Sequence, residues 1–280
     1  MTSSGSASFD DQLYGRWISA LRLLAVVVWV LIGCFFTAVL RVVIRPFSKW
    51  RFIRINTIWI VHPWSRGIVW ILGMKILMDR KIQPNHQIIV SHHMGLIDSL
   101  MVMALSPCMV LSSSDIRAIP VVGFLLNFLG FVFLDRKRPR SLLKSIADQG
   151  EMLRQSRINV AFFPEGFTGD GREMGSFHSS LFAIAESHKV DIQPIAFRCT
   201  SINGIPISLD DTAFFLYDAD KQSIASYVMR LFRWKTLTIR TRILDPFGHN
   251  EIQRNAWSRR EISQATERRI RAAFDDRITW

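Results

Sequence analysis

The two residues best suited to acid–base chemistry are His93 and Asp98, which are separated by four residues. His93 follows a β-like run at 87–90, and Asp98 lies in a helix-like run that reaches Leu105. A histidine just before a helix and an aspartate one turn on can meet. The carboxylate then holds one ring nitrogen and leaves the other free as a general base that takes a proton directly from a substrate hydroxyl. Alone the pattern is weak, because the helix dipole also favours an aspartate in a first turn.

The composition favours a partner with negative charge. The chain has 280 residues, 49% of them hydrophobic, with a formal net charge of +12, nine Trp and twenty Phe. This balance suits nucleic acid or an anionic membrane surface. Aromatic residues beside arginine and lysine favour anionic membrane lipids, and no nucleic-acid-binding motif occurs. The three cysteines, Cys34, Cys108 and Cys199, have no CxxC partner, so we expect neither a disulfide framework nor a metal site.

The N-terminal region indicates a membrane anchor. Residues 1–22 are interpreted as a flexible tail, and residues 23–40 form 18 uncharged positions, the lower limit for a helix that spans a bilayer. Only basic charges follow between 41 and 54, so the positive-inside rule places the next domain on the cytoplasmic side of the cell (inner) membrane. A signal peptide fits less well because no small-x-small cleavage site follows. A buried core helix is the remaining alternative.

A second apolar segment, at 58–72, has interruptions that argue against a clean span. It is interpreted as an interfacial or re-entrant helix, with a core helix as the alternative. The membrane-anchoring region would then be 23–72 and the catalytic domain 73–280. The interrupting residues are Pro63, Arg66 and Gly67, and the tryptophans expected at the headgroups are Trp59, Trp64 and Trp70.

From about residue 74 the hydrophobic pattern alternates between strands and helices, which predicts an α/β sandwich. Short runs such as 160–163 are apolar throughout, as buried strands are. The predicted strands are 74–79, 87–91, 108–111, 130–135, 158–163, 192–198 and 236–244, and the predicted helices are 97–106, 121–129, 140–156, 178–187, 222–232 and 257–274.

Three further stretches have the residue types of a binding site. The strand at 130–135 runs into a basic cluster headed by Arg136, at a strand end where a guanidinium can hold a phosphate. A second strand enters Pro164-Glu165-Gly166 and a glycine-containing loop, which lets backbone N–H groups approach an anion. Each stretch is also compatible with an ordinary turn. In the third, Pro194 lies within a strand, which suggests an edge position or a bend.

Together, in this order, the four patterns resemble the four sequence blocks of the glycerolipid acyltransferases, and more narrowly the 1-acyl-sn-glycerol-3-phosphate acyltransferase family. The patterns are His93-x4-Asp98, Gly130 to Arg136, Phe163-Pro164-Glu165-Gly166, and Pro194, and the resemblance covers roughly residues 70–245. It implies a mixed β-sheet flanked by helices, preceded by membrane-associated helices.

The resemblance also implies a reaction, in which the free hydroxyl of a lysolipid attacks an acyl thioester on acyl carrier protein or coenzyme A. The transfer would be direct, without an acyl-enzyme, a cofactor or a metal. His93 would be the general base and Asp98 its orienting partner. The residues expected to bind the substrates are Arg136 for the phosphate, Glu165, Gly166, Thr168 and Arg172 for the acceptor head, and Pro194 for the acyl pocket.

Several positions depart from the family pattern. His92 stands where the family usually has Asn, and the choice between the two histidines rests on the spacing to Asp98. Phe167-Thr168-Gly169 replaces the usual Thr-Arg-Ser, so a phosphate-holding arginine is missing unless Arg172 substitutes for it. The Gly169-Asp170-Gly171 stretch, together with residues 177–181, resembles the branch that acylates lyso-ornithine lipid.

The leading hypothesis is therefore a membrane-bound O-acyltransferase that makes phosphatidic acid from 1-acyl-sn-glycerol-3-phosphate. Transfer to lyso-ornithine lipid is the close alternative, and a non-catalytic membrane-binding protein on the same fold is a distant one. A serine hydrolase is disfavoured because the sequence contains no Gly-x-Ser-x-Gly. The arginine-rich C-terminal helix is compatible with docking on anionic lipid or an acidic carrier protein, and equally with a solvated face.

Overall fold

The computed structural model describes residues 14–82, 87–95, 97–117, 122–129, 132–134, 139–166, 173–208 and 224–276. Within these ranges the strands form one eight-stranded mixed sheet in the order β1-β8-β6-β2-β5-β3-β4, with β7 paired to β6. Neighbouring strands run parallel except for the antiparallel pairs β6–β8 and β6–β7. The strands are β1 Met74–Met78, β2 Ile88–Ser91, β3 Cys108–Ser113, β4 Val132–Leu134, β5 Asn159–Phe162, β6 Ile192–Ile202, β7 Ile205–Pro206 and β8 Leu237–Ile243.

Helices cover both faces of the sheet, so the mixed α/β prediction is confirmed. The helices are α1 Arg16–Val43, α2 Lys49–Asn56, α3 His62–Ile71, α4 Asp98–Leu105, α5 Ser114–Arg117, α6 Val122–Leu129, α7 Pro139–Ser156, α8 Ala183–His188, α9 Ile224–Arg233, α10 His249–Arg254 and α11 Arg259–Asp275. A π-helical turn at Thr57–Val61 joins α2 to α3, and a 3-10 turn at Ser179–Phe182 precedes α8.

The central strands bury side chains on both faces, which explains why they read as apolar throughout. In β2, Ile89 belongs to the core cluster shared with α3, α4 and α9. Its neighbours Ile88 and Val90 belong to the cluster shared with α7, α8 and α11. Because side chains alternate between the two faces of a strand, the period-2 pattern disappears when both faces are covered.

The apolar N-terminal helix is longer than predicted. It begins at Arg16 rather than near residue 23, so residues 16–22 are helical and the prediction of a flexible tail is wrong for them. Polar groups at and just before the start of the helix bind the end of α9 and the residues after it: the Tyr14 N–H donates to the Arg233 carbonyl at 2.7 Å, and Arg22 donates to the carbonyls of Trp234 and Lys235. These hydrogen bonds hold the polar start of the helix, which lies outside its apolar run.

Helix α1 is the one helix of the described residues long and apolar enough to cross a membrane. Only 11% of its most apolar window is buried, and Phe35 and Val42 are 64% and 75% exposed. A core helix of a soluble domain would be mostly covered, so this surface favours the lipid-facing interpretation over the core-helix alternative.

The second apolar segment is part of one helical run from Lys49 to Ile71, and the π-helical turn stands just before Pro63. Trp59 and Trp70 are 74% and 81% exposed, as expected for headgroup contacts. The prediction was wrong for Trp64, which is 9% exposed and packs against α1. Its burial comes from pairing with a glycine of the other helix, which the sequence pattern of one segment does not reveal.

Two reciprocal Gly–Trp contacts fasten α1 to α3. A Cβ on Gly33 would lie 2.7 Å from the Trp64 ring, and a Cβ on Gly67 would lie 2.3 Å from the Trp29 ring. The Trp29 indole N–H also donates to the Trp64 carbonyl at 3.0 Å. Glycine is required at both positions because each tryptophan occupies the space of a β-carbon.

We expect Gly67→Val to destabilise this helix pair by about 1–3 kcal/mol, the usual cost of overpacking. The apparent Tm of the purified protein in detergent should fall by roughly 2–8 °C. Gly15→Ala is the control, since a Cβ there meets nothing within 4 Å. Equal Tm values for the two variants would contradict the packing described.

Candidate active site

The carboxyl ends of the central parallel strands bring the first and third sequence motifs together. Val90 of β2 lies beside Phe162 of β5, and both chains continue past the same edge of the sheet. The rings of His93 and Phe163 then stack, with centroids 4.5 Å apart and planes 15° from parallel. Parallel pairing therefore explains why residues 70 positions apart in sequence share one site.

His93 and Asp98 meet as their spacing predicted. Nδ1 of His93 lies 2.8 Å from Oδ2 of Asp98. Because an ionised carboxylate only accepts hydrogen bonds, Nδ1 carries the proton and Nε2 keeps its lone pair. The Asp98 side chain is fully buried, whereas that of His93 is 19% exposed. This arrangement presents an oriented imidazole, with Nε2 available, at the surface of the site.

The same oxygen of Asp98 also organises the turn between the two residues. It accepts the backbone N–H of Met94 at 2.5 Å and that of Gly95 at 2.9 Å. The Asp98 N–H donates in turn to the Gly95 carbonyl at 3.2 Å. Because Asp98 accepts backbone donors of the turn that precedes α4, it positions the histidine through the main chain as well as through the ring.

Glu165 joins the two motifs through its carboxylate. Oε1 accepts the His93 N–H and Oε2 accepts the Gly175 N–H, both at 2.8 Å. Glu165 is 1% exposed, and burial raises the pKa of its carboxyl while these two backbone donors oppose the shift. Direct contact of Glu165 with the acceptor head stays a prediction.

Gly166 follows Glu165 with a φ of +82°. This left-handed conformation is unfavourable for residues with a β-carbon, so a glycine is needed where the chain leaves β5. The other substrate-binding predictions for this region, Thr168 and Arg172, lie outside the described residues, and so does Arg136. Strand β4, which leads to Arg136, runs parallel to β3 and thus towards the same edge as His93.

Pro194 is buried in β6 between β2 and β8, so the suggestion of an edge strand was wrong. Gln193 shows why an interior strand tolerates the proline. The Gln193 side-chain amide donates to the Leu244 carbonyl at 2.6 Å and to the Pro194 carbonyl at 3.1 Å. A side-chain donor thus supplies a hydrogen bond at the point where the proline lacks its own N–H.

Helix α11 fixes the segment that Glu165 holds, a role that the sequence did not indicate. Glu267 accepts the Phe177 N–H at 2.9 Å, and Arg271 donates to the Gly175 carbonyl at 3.3 Å. Arg271 and Glu267 also pair with each other at 2.9 Å, a helical i,i+4 contact. That spacing is visible in the sequence, but nothing in it points to a partner 90 residues away.

His92 is the second histidine of the motif and faces the opposite way. It is 2% exposed, and its ring lies edge-on to Phe274 of α11 with centroids 5.0 Å apart. Neither ring nitrogen has a hydrogen-bond partner of normal geometry among the described residues. Burial lowers the pKa of His92 to about 4, with Asp98 and the Phe197 backbone opposing the shift. His92 is therefore a neutral core residue, and His93 alone is oriented by Asp98.

Comparison with known proteins assigns the family. A family model described as Acyltransferase matches residues 75–198, which include both motifs and β6 up to Arg198. The chain belongs to the acyltransferase family. No cluster of three or more His, Cys, Asp or Glu residues able to hold a metal occurs in the described part of this acyltransferase.

Curated relatives of the acyltransferase act on lysolipids. A lyso-ornithine lipid O-acyltransferase of Rhizobium meliloti is 25% identical over 79% of this chain and 76% of that protein. One from Pseudomonas aeruginosa is 30% identical over 66% of each chain. Human 1-acyl-sn-glycerol-3-phosphate acyltransferase beta is 26% identical over 46% of this chain and 48% of that protein. The matches thus span about half to three quarters of these relatives' lengths.

A solved structure supports the architecture. The crystal structure of PlsC, the 1-acyl-sn-glycerophosphate acyltransferase of Thermotoga maritima, matches 92% of this chain and 99% of that chain. The TM-score is 0.53 at 16% sequence identity, so this likeness concerns the fold. The mixed sheet with flanking helices implied by the resemblance is thereby confirmed. The class of acceptor, a lysolipid, is supported by the curated relatives instead.

The burial of His92 predicts an acid-sensitive fold. Between about pH 6.5 and pH 4 the unfolded chain binds a proton that the folded chain excludes, so stability is lost as the pH falls. From pH 7 to pH 5 the free energy of unfolding should fall by about 2 kcal/mol on account of His92. His92→Asn should remove this component in denaturant titrations at the two pH values.

His178→Asn is the matched control, because the His178 side chain is exposed. It should keep the wild-type dependence on pH. An unchanged pH dependence in His92→Asn would contradict the burial of a neutral imidazole at this position.

Proposed function

We propose that this protein is a membrane-bound acyltransferase that moves an acyl chain from a thioester to the free hydroxyl of a lysolipid, with His93 as the general base. The observation that carries the proposal is the 2.8 Å contact between His93 Nδ1 and the fully buried Asp98 carboxylate. It fixes the tautomer in which Nε2 can accept a proton.

The reaction follows from this geometry. The acceptor hydroxyl gives its proton to His93 Nε2 while its oxygen attacks the thioester carbonyl carbon. The resulting imidazolium is stabilised by the Asp98 carboxylate, as in other His–Asp pairs. The tetrahedral intermediate then expels the thiolate, which recovers the proton from His93. The ester and a free thiol are the products, and no acyl-enzyme forms.

For the acceptor we propose lyso-ornithine lipid first. Two relatives, matched over 79% and 66% of this chain, carry that activity in their names. The loop after Gly166 also lacks the arginine that the phosphate-binding pattern of the family has at its second position, since Thr168 stands there. The head of lyso-ornithine lipid offers a carboxylate and an amine in place of a phosphate.

Lysophosphatidic acid, to give phosphatidic acid, is the second candidate. It is favoured by the named activity of the human relative. The basic cluster that follows β4 in the sequence also supports it, because β4 runs parallel to β3 and towards the edge of the sheet where His93 lies. For the donor we propose a thioester of acyl carrier protein or coenzyme A, and we place the catalytic domain on the cytoplasmic side.

We expect His93→Ala to reduce acyl transfer by about 10²–10⁴-fold, the usual contribution of a general base. The variant should stay folded and bound to the membrane, because the His93 main-chain contact with Glu165 does not need the ring. Turnover is measured with purified protein and both thioester donors. The control is His249→Ala, a partly exposed histidine that contacts Asp191. Full activity of His93→Ala would contradict the mechanism.

The acceptor is tested by comparing kcat/KM for lyso-ornithine lipid and lysophosphatidic acid in the same preparation. We expect lyso-ornithine lipid to be preferred by the wild type. Arg136→Ala should raise KM chiefly for lysophosphatidic acid, because only that acceptor carries a phosphate. A wild-type preference for lysophosphatidic acid, lost in Arg136→Ala, would establish the second candidate instead.

A further inference from the structure

A cavity of about 410 Å³ lies where the end of α1 and the start of α2 meet α7 and the outer strands of the sheet. We call it the basic pocket. Three cations line it, one each from the end of α1, the turn after it and the start of α2, together with polar residues of α7 and apolar residues of β3 and β4. The residues that matter for its chemistry are Arg41, Arg45, Lys49, Trp50, Asp148 and Gln149.

The charge of the basic pocket is positive. Arg41, Arg45 and Lys49 face one acid, Asp148. Arg45 and Lys49 are exposed and form no ion pair within the described ranges. A group with several anionic oxygens would engage cations at this spacing through charge-assisted hydrogen bonds.

Arg41 is held in place for such a group. One guanidinium nitrogen donates to the Phe128 carbonyl at 3.1 Å, and the group lies over the Phe128 ring at 4.8 Å. Its Nε is buried and has no hydrogen-bond partner among the described residues. The arginine is thus oriented by the protein with a donor still to satisfy.

The basic pocket also has an unsatisfied acceptor. Gln149 is 3% exposed, and its Oε1 has no hydrogen-bond partner in the part of the chain that the structure describes. Asp148, next to it, adds a carboxylate to the same wall. A ligand with a hydroxyl or ammonium group beside its anion would complement both ends of the cavity.

The position of the basic pocket points to a lipid. The uncharged run of α1 ends at Leu40, and the three cations follow within nine residues. Val42 and Phe47, which stand between them, are 75% and 88% exposed. With α1 inserted in a bilayer, as the proposed function requires, this level corresponds to the headgroups, where basic residues meet lipid phosphates.

The basic pocket is separate from the site of acyl transfer. Met109, on its wall, pairs with Val160, which pairs with Ile88 at the start of β2. The end of β2, at Ser91, lies three residues further along, which is about 10 Å at the rise of a strand, and His93 comes after it. A headgroup in the basic pocket is therefore not that of the reacting lysolipid.

We propose that the basic pocket binds the headgroup of a membrane glycerophospholipid that carries a phosphate and a hydrogen-bond donor, such as phosphatidylglycerol. This bound lipid sets the depth at which the catalytic domain rests on the bilayer. The inference rests on the membrane insertion of α1 but needs neither an acyl donor nor turnover.

The test is a binding titration of the full chain in detergent by calorimetry, with dihexanoyl-phosphatidylglycerol as the probe. Saturable binding is expected, and dihexanoylglycerol, which lacks the phosphate, should not bind. Inorganic phosphate alone should compete only weakly. Saturable binding of coenzyme A in competition with the lipid would overturn the proposal, because the pocket would then be part of the donor site.

Two matched double variants locate the effect. Arg45→Gln/Lys49→Gln should weaken lipid binding by about tenfold or more, since each lost charge removes a charge-assisted hydrogen bond. Arg51→Gln/Arg54→Gln removes two exposed charges from α2 that do not line the pocket, and should change binding by less than about twofold. If both double variants weakened lipid binding equally, binding would depend on the overall surface charge and not on the basic pocket, and the proposal would be overturned.

Gln149→Leu separates the two ends of the site. The wild type should prefer phosphatidylglycerol to phosphatidylmethanol, which has no donor on its headgroup, and the variant should bind both equally. An unchanged preference would remove Gln149 from the site and contradict the proposal at that end. Acyl transfer is assayed in parallel: its absence with lipid binding intact would count against the proposed function alone.

Discussion

The acyltransferase site depends on one buried carboxylate. Asp98 Oδ2 accepts the His93 ring and two successive backbone N–H groups, so a single charge sets the base, its tautomer and the turn that carries it. These three donors offset part of the cost of burying a carboxylate, since an unpaired buried polar group is unfavourable. A substitution of Asp98 therefore changes both the position of the His93 ring and the ability of that ring to accept a proton.

The rest of the fold holds this turn from both sides. Parallel pairing of β2 and β5 sets His93 against Phe163, and the Glu165 carboxylate binds the His93 N–H from the neighbouring loop. Helix α11 then holds the far end of that loop through Glu267. The N-terminal helices α1 and α3 are fastened by two Gly–Trp contacts. The end of α1 and the start of α2 contribute to the basic pocket, which is separate from the His93 site. Chemistry and membrane contact are thus served by separate parts of one chain.

Local patterns predicted most of this architecture. The strand and helix positions follow from periodicity, and the His93–Asp98 contact follows from the short spacing of the two residues. Helix α4 begins only at Asp98, so the turn before the helix, held by Asp98 Oδ2, brings the two side chains together. Long-range partners could not be predicted. The interior position of Pro194 depends on the Gln193 amide, and the burial of Trp64 depends on Gly33 of another helix. Such contacts are set by tertiary packing, and the sequence of either segment alone does not reveal them.

The most direct test of the central claim is the rate of acyl transfer by Asp98→Asn, measured against the wild type at saturating donor and acceptor. The amide keeps the size of the side chain but can present an N–H to His93, which favours the wrong tautomer. The account predicts a folded protein whose kcat is lower by about 10²–10⁴-fold. A folded Asp98→Asn variant with nearly full activity would contradict the assignment of His93 as a base oriented by Asp98.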